Sequence, residues 1–361
     1  MKVFMVTDYF WPGIGGLEKS TAYLARALQR HLAVEILTLA PSTSLQDDPA
    51  LPVKRFSTSG GAPYEAMKAY IAAQESPRAV CFFGFSDDWT DCHLDFVACA
   101  RRELAEKVLF KVPSLNEFSL YVKDAGRRER LLAADYFICP NRAIQDELVR
   151  GGIPGEKTVY QPNGVPCDEF FPASPASKKA IRAELGLEQG FVFVFTGRFA
   201  ARKRVDMLVE AFCQVPEFYL VLVGYFDDRF DDGSAFEIPQ GGRIRVFGPV
   251  DDVLPYLHAS DVFVSASRAE GMPNSMLEAL ACGLPALVTA IPGHLEVVRP
   301  GVNGQVFEPD NLEDLMTRVR WFAAHQRDWL ALSEAARKTV VSRFQIEEVA
   351  NTYRRLLAGE V

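Results

Sequence analysis

The sequence lacks the features that mark several protein classes. No apolar run approaches the ~18 residues that a membrane-spanning helix requires, and candidates such as Phe191–Phe195 are only a few residues long. A cationic excess is also missing, because 39 lysines and arginines stand against 47 aspartates and glutamates, which gives a formal net charge of −8. Nucleic-acid-binding proteins are usually basic, so the charge argues against a general nucleic-acid binder.

Metal and disulfide motifs are missing as well. The chain has 7 cysteines, an odd number, without a CxxC pair, and its 5 histidines form no HxxxH pair. This usage is typical of reduced thiols in a cytoplasmic enzyme and argues against a zinc site. The start of the chain, with four apolar residues between Lys2 and Thr7, favours a buried strand over a signal peptide. We therefore expect a cytoplasmic protein.

What the chain does have is length and a regular alternation of strands and helices. Its 361 residues predict two domains at roughly 150 residues each. An apolar first strand, a Gly-rich turn at Pro12–Gly16, a helical stripe that ends near His31 and a strand at Val34–Leu39 form a βαβ unit. Further short strands are expected at Val80–Phe83, Val108–Lys111, Tyr136–Cys139 and Thr158–Gln161. Six parallel strands with crossover helices predict a doubly wound α/β sheet.

A second alternation follows a change of composition near residue 165. Asn163–Val165 predicts a turn, and the Pro/Ser-rich stretch after Phe171 is typical of an interdomain linker. A helix is expected at about Asn274–Cys282, closed by Gly283 in a positive-φ conformation. The expected strands are Phe191–Phe195, Tyr219–Val223, Ile244–Phe247, Val262–Ser265 and Ala286–Thr289, before a helical end from Leu312 to Leu357.

The glycines after the first strand could let a backbone approach a ligand, or could serve tight packing alone. Their spacing is not GxGxxG, and no ribose-binding acid follows Val34–Leu39, which disfavours an NAD-dependent oxidoreductase.

The segment Thr196–Arg204 lies directly after a predicted parallel strand, at the edge where open α/β sheets bind ligands. Arg198 and Lys203 are the residue types that usually hold a diphosphate, and the alternative is a solvated basic turn.

The segment Ser267–Glu278 carries Glu270 in a loop and Glu278 within the following helix. Pro273 and Asn274 supply the helix start, whose N–H groups suit a phosphate. Glu278 could accept hydrogen bonds from ribose hydroxyls, or could simply match the helix dipole.

Four motifs together carry a family resemblance. They are GRFAARK at Gly197–Lys203, EGMPNSMLE at Glu270–Glu278, NGV at Asn163–Val165 and the PGIGG opening. In this order, over nearly the whole chain, they resemble glycosyltransferase family 4, the retaining nucleotide-sugar transferases of GT-B fold. The paired-glutamate segment with GLPALVT behind it is highly specific, whereas the glycine loop is not.

The resemblance implies an α/β fold of the GT-B type, with two Rossmann-like doubly wound domains facing a central cleft. The first, acceptor domain would cover residues 1–168 and be completed by a C-terminal helix, residues 345–361, that crosses back to it. The second, residues 169–344, would bind the nucleotide-sugar donor.

The resemblance also implies residue roles. Arg198 and Lys203 would hold the donor diphosphate, Glu278 would bind the ribose and Glu270 would contact the transferred sugar; we count Glu270, Arg198 and Lys203 as catalytic. Further implied substrate contacts are Gly15, Gly16, Gly248, Gly271, Met272, Asn274 and Ser275.

One position departs from the family. Many members carry a histidine after the strand equivalent to Val108–Lys111, and this sequence has none there. Lys111, Ser114 or Asn116 are the candidates for the acceptor-side role. His93 precedes this strand and is interpreted as a helix-surface residue.

The implied reaction moves a sugar from a UDP-, GDP- or dTDP-sugar to a hydroxyl of a glycan, a lipid or a small molecule, by front-face attack with retention. Arg198, Lys203 and a helix dipole would offset the leaving-group charge, so we expect neither a metal nor another cofactor. The alternatives are a nucleotide-sugar epimerase of the same fold and a non-catalytic nucleotide-sugar-binding protein.

No nucleic-acid partner is expected, and the protein would be a monomer or a homodimer. A cationic cluster in the first domain, Arg127, Arg128 and Arg130 beside Leu131, fits a charged helix face. It also leaves open a peripheral contact with the inner face of the membrane.

Overall fold

The computed structural model describes residues 1–360 except 11–15, 41–49, 59–61, 76, 86–88, 188–189, 227–236 and 240–241. It divides into two compact units, Met1–Gly164 with Ile346–Val361, and Val165–Gln345. The boundary near residue 165 coincides with the change of composition, four residues before the end of the predicted first domain.

The first unit is a parallel sheet with helices between its strands. Its described elements are β1 Lys2–Val6, α1 Gly16–Gln29, β2 Ala33–Leu39, β3 Val53–Phe56, α2 Pro63–Ala72, β4 Arg78–Phe82, α3 Asp91–Cys99, β5 Lys107–Lys111, α4 Glu117–Tyr121, α5 Ala125–Leu131, β6 Tyr136–Cys139, α6 Arg142–Arg150 and β7 Thr158–Tyr160. The strand order β3-β2-β1-β4-β5-β6-β7 places β1 in the interior. Val3 pairs with Val34 on one side and with Ala79 on the other. Strands covered on both faces must be apolar, which is why the continuous apolar runs predicted them.

The second unit repeats this architecture. Its described elements are α7 Pro175–Glu184, β8 Val192–Thr196, α8 Val205–Gln214, β9 Tyr219–Val223, β10 Ile244–Phe247, α9 Leu254–Ala259, β11 Val262–Ser265, α10 Asn274–Ala281, β12 Ala286–Thr289, α11 Pro292–Leu295, β13 Gly304–Phe307, α12 Leu312–Ala324 and α13 Trp329–Arg343. The strand order is β10-β9-β8-β11-β12-β13, all parallel. Gly283 ends α10 with φ at +79°, as the sequence predicts.

The last helix, α14 (Ile346–Ala358), belongs to the first unit, as the resemblance implies. It packs on α1, where Arg30 pairs with Glu347 at 2.9 Å. The Tyr353 ring stacks parallel to the Phe83 ring with centroids 6.4 Å apart. Gly164 lets the chain pass close to this helix, because a Cβ there would lie 2.7 Å from the Cα of Ile346.

The structure corrects two details of the predicted fold and divides the predicted helical end into separate helices. Each sheet has one strand more than expected among the described residues, at β3 and β13, both on sheet edges. The Pro/Ser-rich stretch is not a linker, since Ser174 caps α7 and Pro175 is the first residue of that helix. The helical end consists of three separate helices, α12, α13 and α14.

Glycine allows two strand ends to meet at the carboxyl edge of the second sheet. Gly224 follows β9 with φ at +155°, and a Cβ there would overlap the carbonyl oxygen of Gly197, which follows β8. The backbone of Gly197 donates in turn to Val223 O at 2.9 Å. This contact fixes the start of the loop that carries Arg198.

We therefore expect Gly224→Ala to lower the free energy of unfolding by about 2 kcal/mol or more, from backbone strain and overlap with the neighbouring backbone. Gly248→Ala is the matched control, because a Cβ there meets nothing within 4 Å. Urea unfolding followed by fluorescence would measure both variants. Equal stability of the two would contradict the close contact.

Candidate functional site

Two loops of the second unit lie side by side because their strands are neighbours. β8 pairs with β11, and the loops after them carry the predicted cationic segment and the predicted glutamate segment. The backbone N–H of Arg268 donates to Arg202 O at 2.8 Å, which joins the two loops directly. Two segments that are distant in the sequence are thereby brought together at the carboxyl edge of the sheet, where open α/β sheets bind ligands.

Lys203 and Glu270 form an ion pair across these loops. The Nζ of Lys203 donates to Oε1 of Glu270 in a very short contact. Their side chains are only 17% and 7% exposed. Arg202 approaches the other carboxylate oxygen at 3.6 Å and donates to the Ala269 carbonyl at 3.1 Å. Glu270 is therefore held by two cations, of which Lys203 is the closer and the less exposed.

The pair shifts the pKa values of both partners. Burial alone would raise the pKa of Glu270, but Lys203, Arg202 and His294 together lower it to about 2. Burial lowers the pKa of Lys203, and the neighbouring Glu270 carboxylate opposes that change. Glu270 is thus ionised at neutral pH, and the ammonium beside it is held in a desolvated place where its charge acts strongly.

Most of the other residues predicted to bind the sugar donor lie in the same two segments as this pair or in the helix that follows. Arg198 is half-buried and close enough to Lys203 to lower its pKa. Glu278 is fully buried in the second turn of α10. Pro273 occupies the N-cap position of α10 and provides no side-chain cap. Gly271, Met272 and Asn274 are buried, and Ser275 is half-buried. The glutamate segment therefore carries its two carboxylates on the loop and on the helix that follows it.

Three predicted glycines stand apart from this cluster. Gly248 is exposed just after β10, and Gly16 is the exposed first residue of α1 in the first unit. A Cβ at either position would meet nothing within 4 Å, so packing does not require glycine there. Gly15 lies outside the described residues.

His294 is a residue of the site that sequence reasoning missed. It lies in α11, just after β12, and is fully buried. Its Nδ1 is 3.0 Å from Thr289 O and 3.1 Å from Thr289 Oγ1. The preceding Gly293 lies against the Glu270–Gly271 backbone, since a Cβ on it would be 2.8 Å from the Gly271 carbonyl oxygen. The available signal was a histidine directly after a predicted strand, at the ligand-binding edge.

In the first unit, Lys111 is buried at the carboxyl end of β5. Its Nζ donates to Asn163 Oδ1 at 2.7 Å and lies 5.6 Å from the centre of the Phe83 ring. No ion pair to Lys111 occurs among the described residues, and burial lowers its pKa to about 7. Asn116 is exposed with φ at 70°, and its N–H donates to Glu147. Ser114 is half-buried, so of the three acceptor-side candidates only Lys111 has a buried polar side chain.

The interpretation of His93 as a surface residue is wrong. It is 5% exposed, and its ring stacks on Phe85 with centroids 4.1 Å apart. Its Nε2 contacts the Tyr64 hydroxyl at 2.5 Å, and that hydroxyl donates to Asp8 at 2.8 Å. Burial first, and then Asp8, raise the pKa of Tyr64 well above its usual range. The Thr90 N–H donates to Nδ1 of His93, so the start of α3 holds this side chain towards the protein interior.

The arginine cluster of the first unit is engaged with its own unit. Arg127 donates to the Trp89 carbonyl, and Arg128 donates to Gly151 O at 3.3 Å. Arg130 pairs with Asp91 and Asp95 at 2.8 and 3.0 Å. Leu131 is fully buried. This geometry favours the charged helix face over a membrane-binding surface.

Comparisons with known proteins assign a family to both units. A model described as Glycosyltransferase Family 4 matches residues 14–169, and a model described as Glycosyl transferases group 1 matches residues 190–325. Together they span most of the chain, in the order of the two units. The chain belongs to the glycosyltransferases of family 4 and group 1. The predicted family is confirmed.

Among curated members of this family, the lipopolysaccharide core biosynthesis glycosyltransferase LpsE of Rhizobium meliloti (strain 1021) is 32% identical over 170 residues, which cover 47% of this chain and 50% of that protein. The chain spans about half the length of the first curated relatives it matches. The alpha-monoglucosyldiacylglycerol synthase of Acholeplasma laidlawii matches over a longer range: it is 24% identical to this chain over 347 residues, which cover 85% of each protein.

Solved structures confirm the predicted GT-B fold. Anabaena HepE in complex with UDP-glucose has a TM-score of 0.82 at 18% identity, covering 99% of this chain and 100% of that one. WaaG, a glycosyltransferase of lipopolysaccharide biosynthesis, has a TM-score of 0.70, also at 18% identity, covering 99% of this chain and 100% of that one. Within the described part of this family member, no helix is both long and apolar enough to cross a membrane.

The ion pair at the site can be tested through the pKa of Glu270. Replacing Lys203 by Met removes the nearest cation while burial remains, so we expect the pKa of Glu270 to rise well above about 2. A carboxyl ¹³C NMR titration would measure it. Arg202→Met is the control and should raise the pKa less, since Arg202 is the more distant cation. An equal or larger rise in the control would contradict the assignment.

The same shift has a consequence for stability. Glu270 has a folded-state pKa below its usual 4.5, so its contribution to stability is present above pH 4.5 and is lost as the pH falls towards about 2. The free energy of unfolding, measured between pH 4.5 and about 2, should lose this pH dependence in the Lys203→Met variant.

Proposed function

We propose that this protein is a retaining glycosyltransferase that moves a hexose from a nucleotide-diphosphate sugar to a hydroxyl acceptor. The observation that carries the proposal is the buried Lys203–Glu270 pair with Arg198 beside it, at the ligand-binding edge of the second sheet. An ionised carboxylate suits the hydroxyls of a sugar, and the cations suit a diphosphate. The family membership and the UDP-glucose bound by HepE support a donor of this class.

In the proposed reaction the donor diphosphate lies against Arg198 and Lys203, and Glu278 binds the ribose. Gly271, Met272, Asn274 and Ser275 line the donor. As the bond from the anomeric carbon to the diphosphate breaks, its electron pair passes to the phosphate oxygen. The acceptor hydroxyl attacks from the same face, and a leaving phosphate oxygen takes its proton. Cations that are already in place stabilise the developing charge without reorganisation.

The proposal includes no metal and no other cofactor, because Arg198, Lys203 and the start of α10 supply positive charge. For the acceptor side we propose Lys111, with Ser114 and Asn116 on the loop that follows it. Lys111 lies at the carboxyl end of β5, and a pKa of about 7 gives it both protonation states near neutral pH. Gly15, Gly16 and Gly248 remain proposed contacts through their backbone.

The two glutamates should separate donor binding from transfer. Glu278→Gln removes the charge proposed to bind the ribose, so we expect the nucleoside diphosphate to bind about 10-fold more weakly. Glu270→Gln releases Lys203 from its ion pair, so diphosphate affinity should be unchanged or tighter while kcat/KM falls by at least about 10-fold. Calorimetry and steady-state kinetics would measure both. Equal losses of diphosphate affinity would contradict the division of roles.

The metal and stereochemical parts of the proposal have a separate test. We expect full activity in EDTA, because fixed cations already face the diphosphate. We also expect the product to keep the anomeric configuration of the donor. NMR of the anomeric proton in the product gives the second result. Loss of activity in EDTA that Mg²⁺ restores would reject the metal-free mechanism. An inverted anomer would reject front-face attack, and conversion of the donor without acceptor would favour the epimerase.

A further inference from the structure

The tautomer of His294 is fixed by its neighbours. Its Nδ1 lies 3.0 Å from the backbone carbonyl oxygen of Thr289, which can only accept a hydrogen bond, so Nδ1 carries the proton. The Thr289 hydroxyl donates to the Ser267 carbonyl at 2.5 Å, which leaves its oxygen to accept from the same Nδ1–H at 3.1 Å. In the neutral ring, Nε2 therefore carries a lone pair and acts only as an acceptor.

In the described part of the chain this lone pair has no partner. Nε2 of His294 is buried and makes no hydrogen bond with the described residues. The ring also stays neutral, because burial lowers the pKa of His294 to about 4, with Lys203 acting in the same direction and Glu270 against it. A buried acceptor without a donor costs stability, and such groups in native proteins require an explanation.

The position of His294 suggests which donor is missing. Gly293 lies in contact with the backbone of Glu270 and Gly271, so His294 follows directly the residue that packs against the loop carrying the Glu270 carboxylate. The Glu270 carboxylate and the Lys203 ammonium both act electrostatically on the His294 ring. A neutral acceptor beside an ionised one is complementary to a polyhydroxylated ligand, whose O–H groups are neutral donors.

We propose that Nε2 of His294 accepts a hydrogen bond from one hydroxyl of the transferred sugar, which makes His294 a specificity-determining residue next to Glu270. This inference rests on the proposed function. It assigns to the donor a hexose that bears a free hydroxyl at one particular ring position, and it disfavours donors that carry a deoxy carbon or a blocked oxygen there.

A purely structural role for His294 predicts something different. If the ring were kept for its bonds to Thr289, removing it would leave those atoms unsatisfied. Both Thr289 oxygens keep a hydrogen bond without the ring, because Thr289 O also accepts from Ile291 N at 2.9 Å and the Thr289 hydroxyl still donates to Ser267 O. His294→Phe should therefore fold with a Tm equal to or above that of the wild type.

The experiment compares wild type, His294→Phe and His294→Gln, whose side-chain amide reaches the position of Nε2. Calorimetry would give the Kd of UDP and of UDP-glucose, or of whichever nucleotide sugar raises the Tm of the wild type most. We expect His294→Phe to bind UDP within about 2-fold of wild type and the nucleotide sugar about 3- to 10-fold more weakly, the worth of one hydrogen bond. His294→Gln should recover part of this loss.

Deoxyfluoro donors then identify the hydroxyl, because fluorine cannot donate. Among the 2-, 3-, 4- and 6-deoxyfluoro donors, one should bind the wild type more weakly than the parent nucleotide sugar does. The same donor should bind His294→Phe as tightly as the parent sugar does, so the two changes form a non-additive double-mutant cycle. Additive losses at all four positions, equal weakening of UDP and the nucleotide sugar, or a lowered Tm with unchanged sugar affinity would each overturn the inference. If wild type binds none of the nucleotide sugars, the proposed function fails as well, which is a distinguishable result.

Discussion

The attraction between Lys203 and Glu270 organises the donor side of this protein. A lysine and a glutamate this buried would each lose the stabilisation of water, and each makes the burial of the other tolerable. Removing Glu270 leaves the Lys203 ammonium without its ion-pair partner, and removing Lys203 leaves the Glu270 carboxylate with only the more distant Arg202. The pair joins the loop after β8 to the loop after β11, and the proposed chemistry depends on that junction.

The order of strands makes the junction possible. β8 and β11 are adjacent in the sheet although two strands intervene in the chain, so loops that are distant in sequence meet at one edge. Close backbone contacts complete the arrangement: Gly224 against Gly197 behind the cationic loop, and Gly293 against Glu270 behind the carboxylate. A side chain at Gly224 would overlap the backbone of Gly197, and one at Gly293 would overlap the backbone of Glu270 and Gly271.

Much of this could be predicted from the sequence. Interior strands of a parallel sheet are apolar throughout, so runs such as Phe191–Phe195 predicted both sheets and their alternating helices. The edge strands β3 and β13 were missed because neither is a continuous apolar run: in Val53–Phe56 only Phe56 is buried, and β13 begins with Gly304 and Gln305. The Pro/Ser-rich stretch after Phe171 misled for a related reason, since proline and serine both mark loops and open helices.

The site was harder to predict than the fold. Motif spacing identified Glu270 and Lys203 as residues of interest, but only the strand order shows that they form a pair. The burial of His93 and His294 was not predicted, because the burial of a histidine depends on elements distant in the sequence: Tyr64 and Asp8 contact the first, and Gly293, which precedes the second, packs against Glu270 and Gly271. A direct measurement of the central claim is the unfolding temperature with uridine, UDP, GDP and dTDP, in wild type and in Arg198→Ala/Lys203→Ala. We expect one diphosphate at 100 times its Kd to stabilise the wild type by about 2.7 kcal/mol, uridine to have little effect, and the double variant to lose the shift. Equal stabilisation of both proteins, or none by any diphosphate, would contradict a diphosphate site at Arg198 and Lys203.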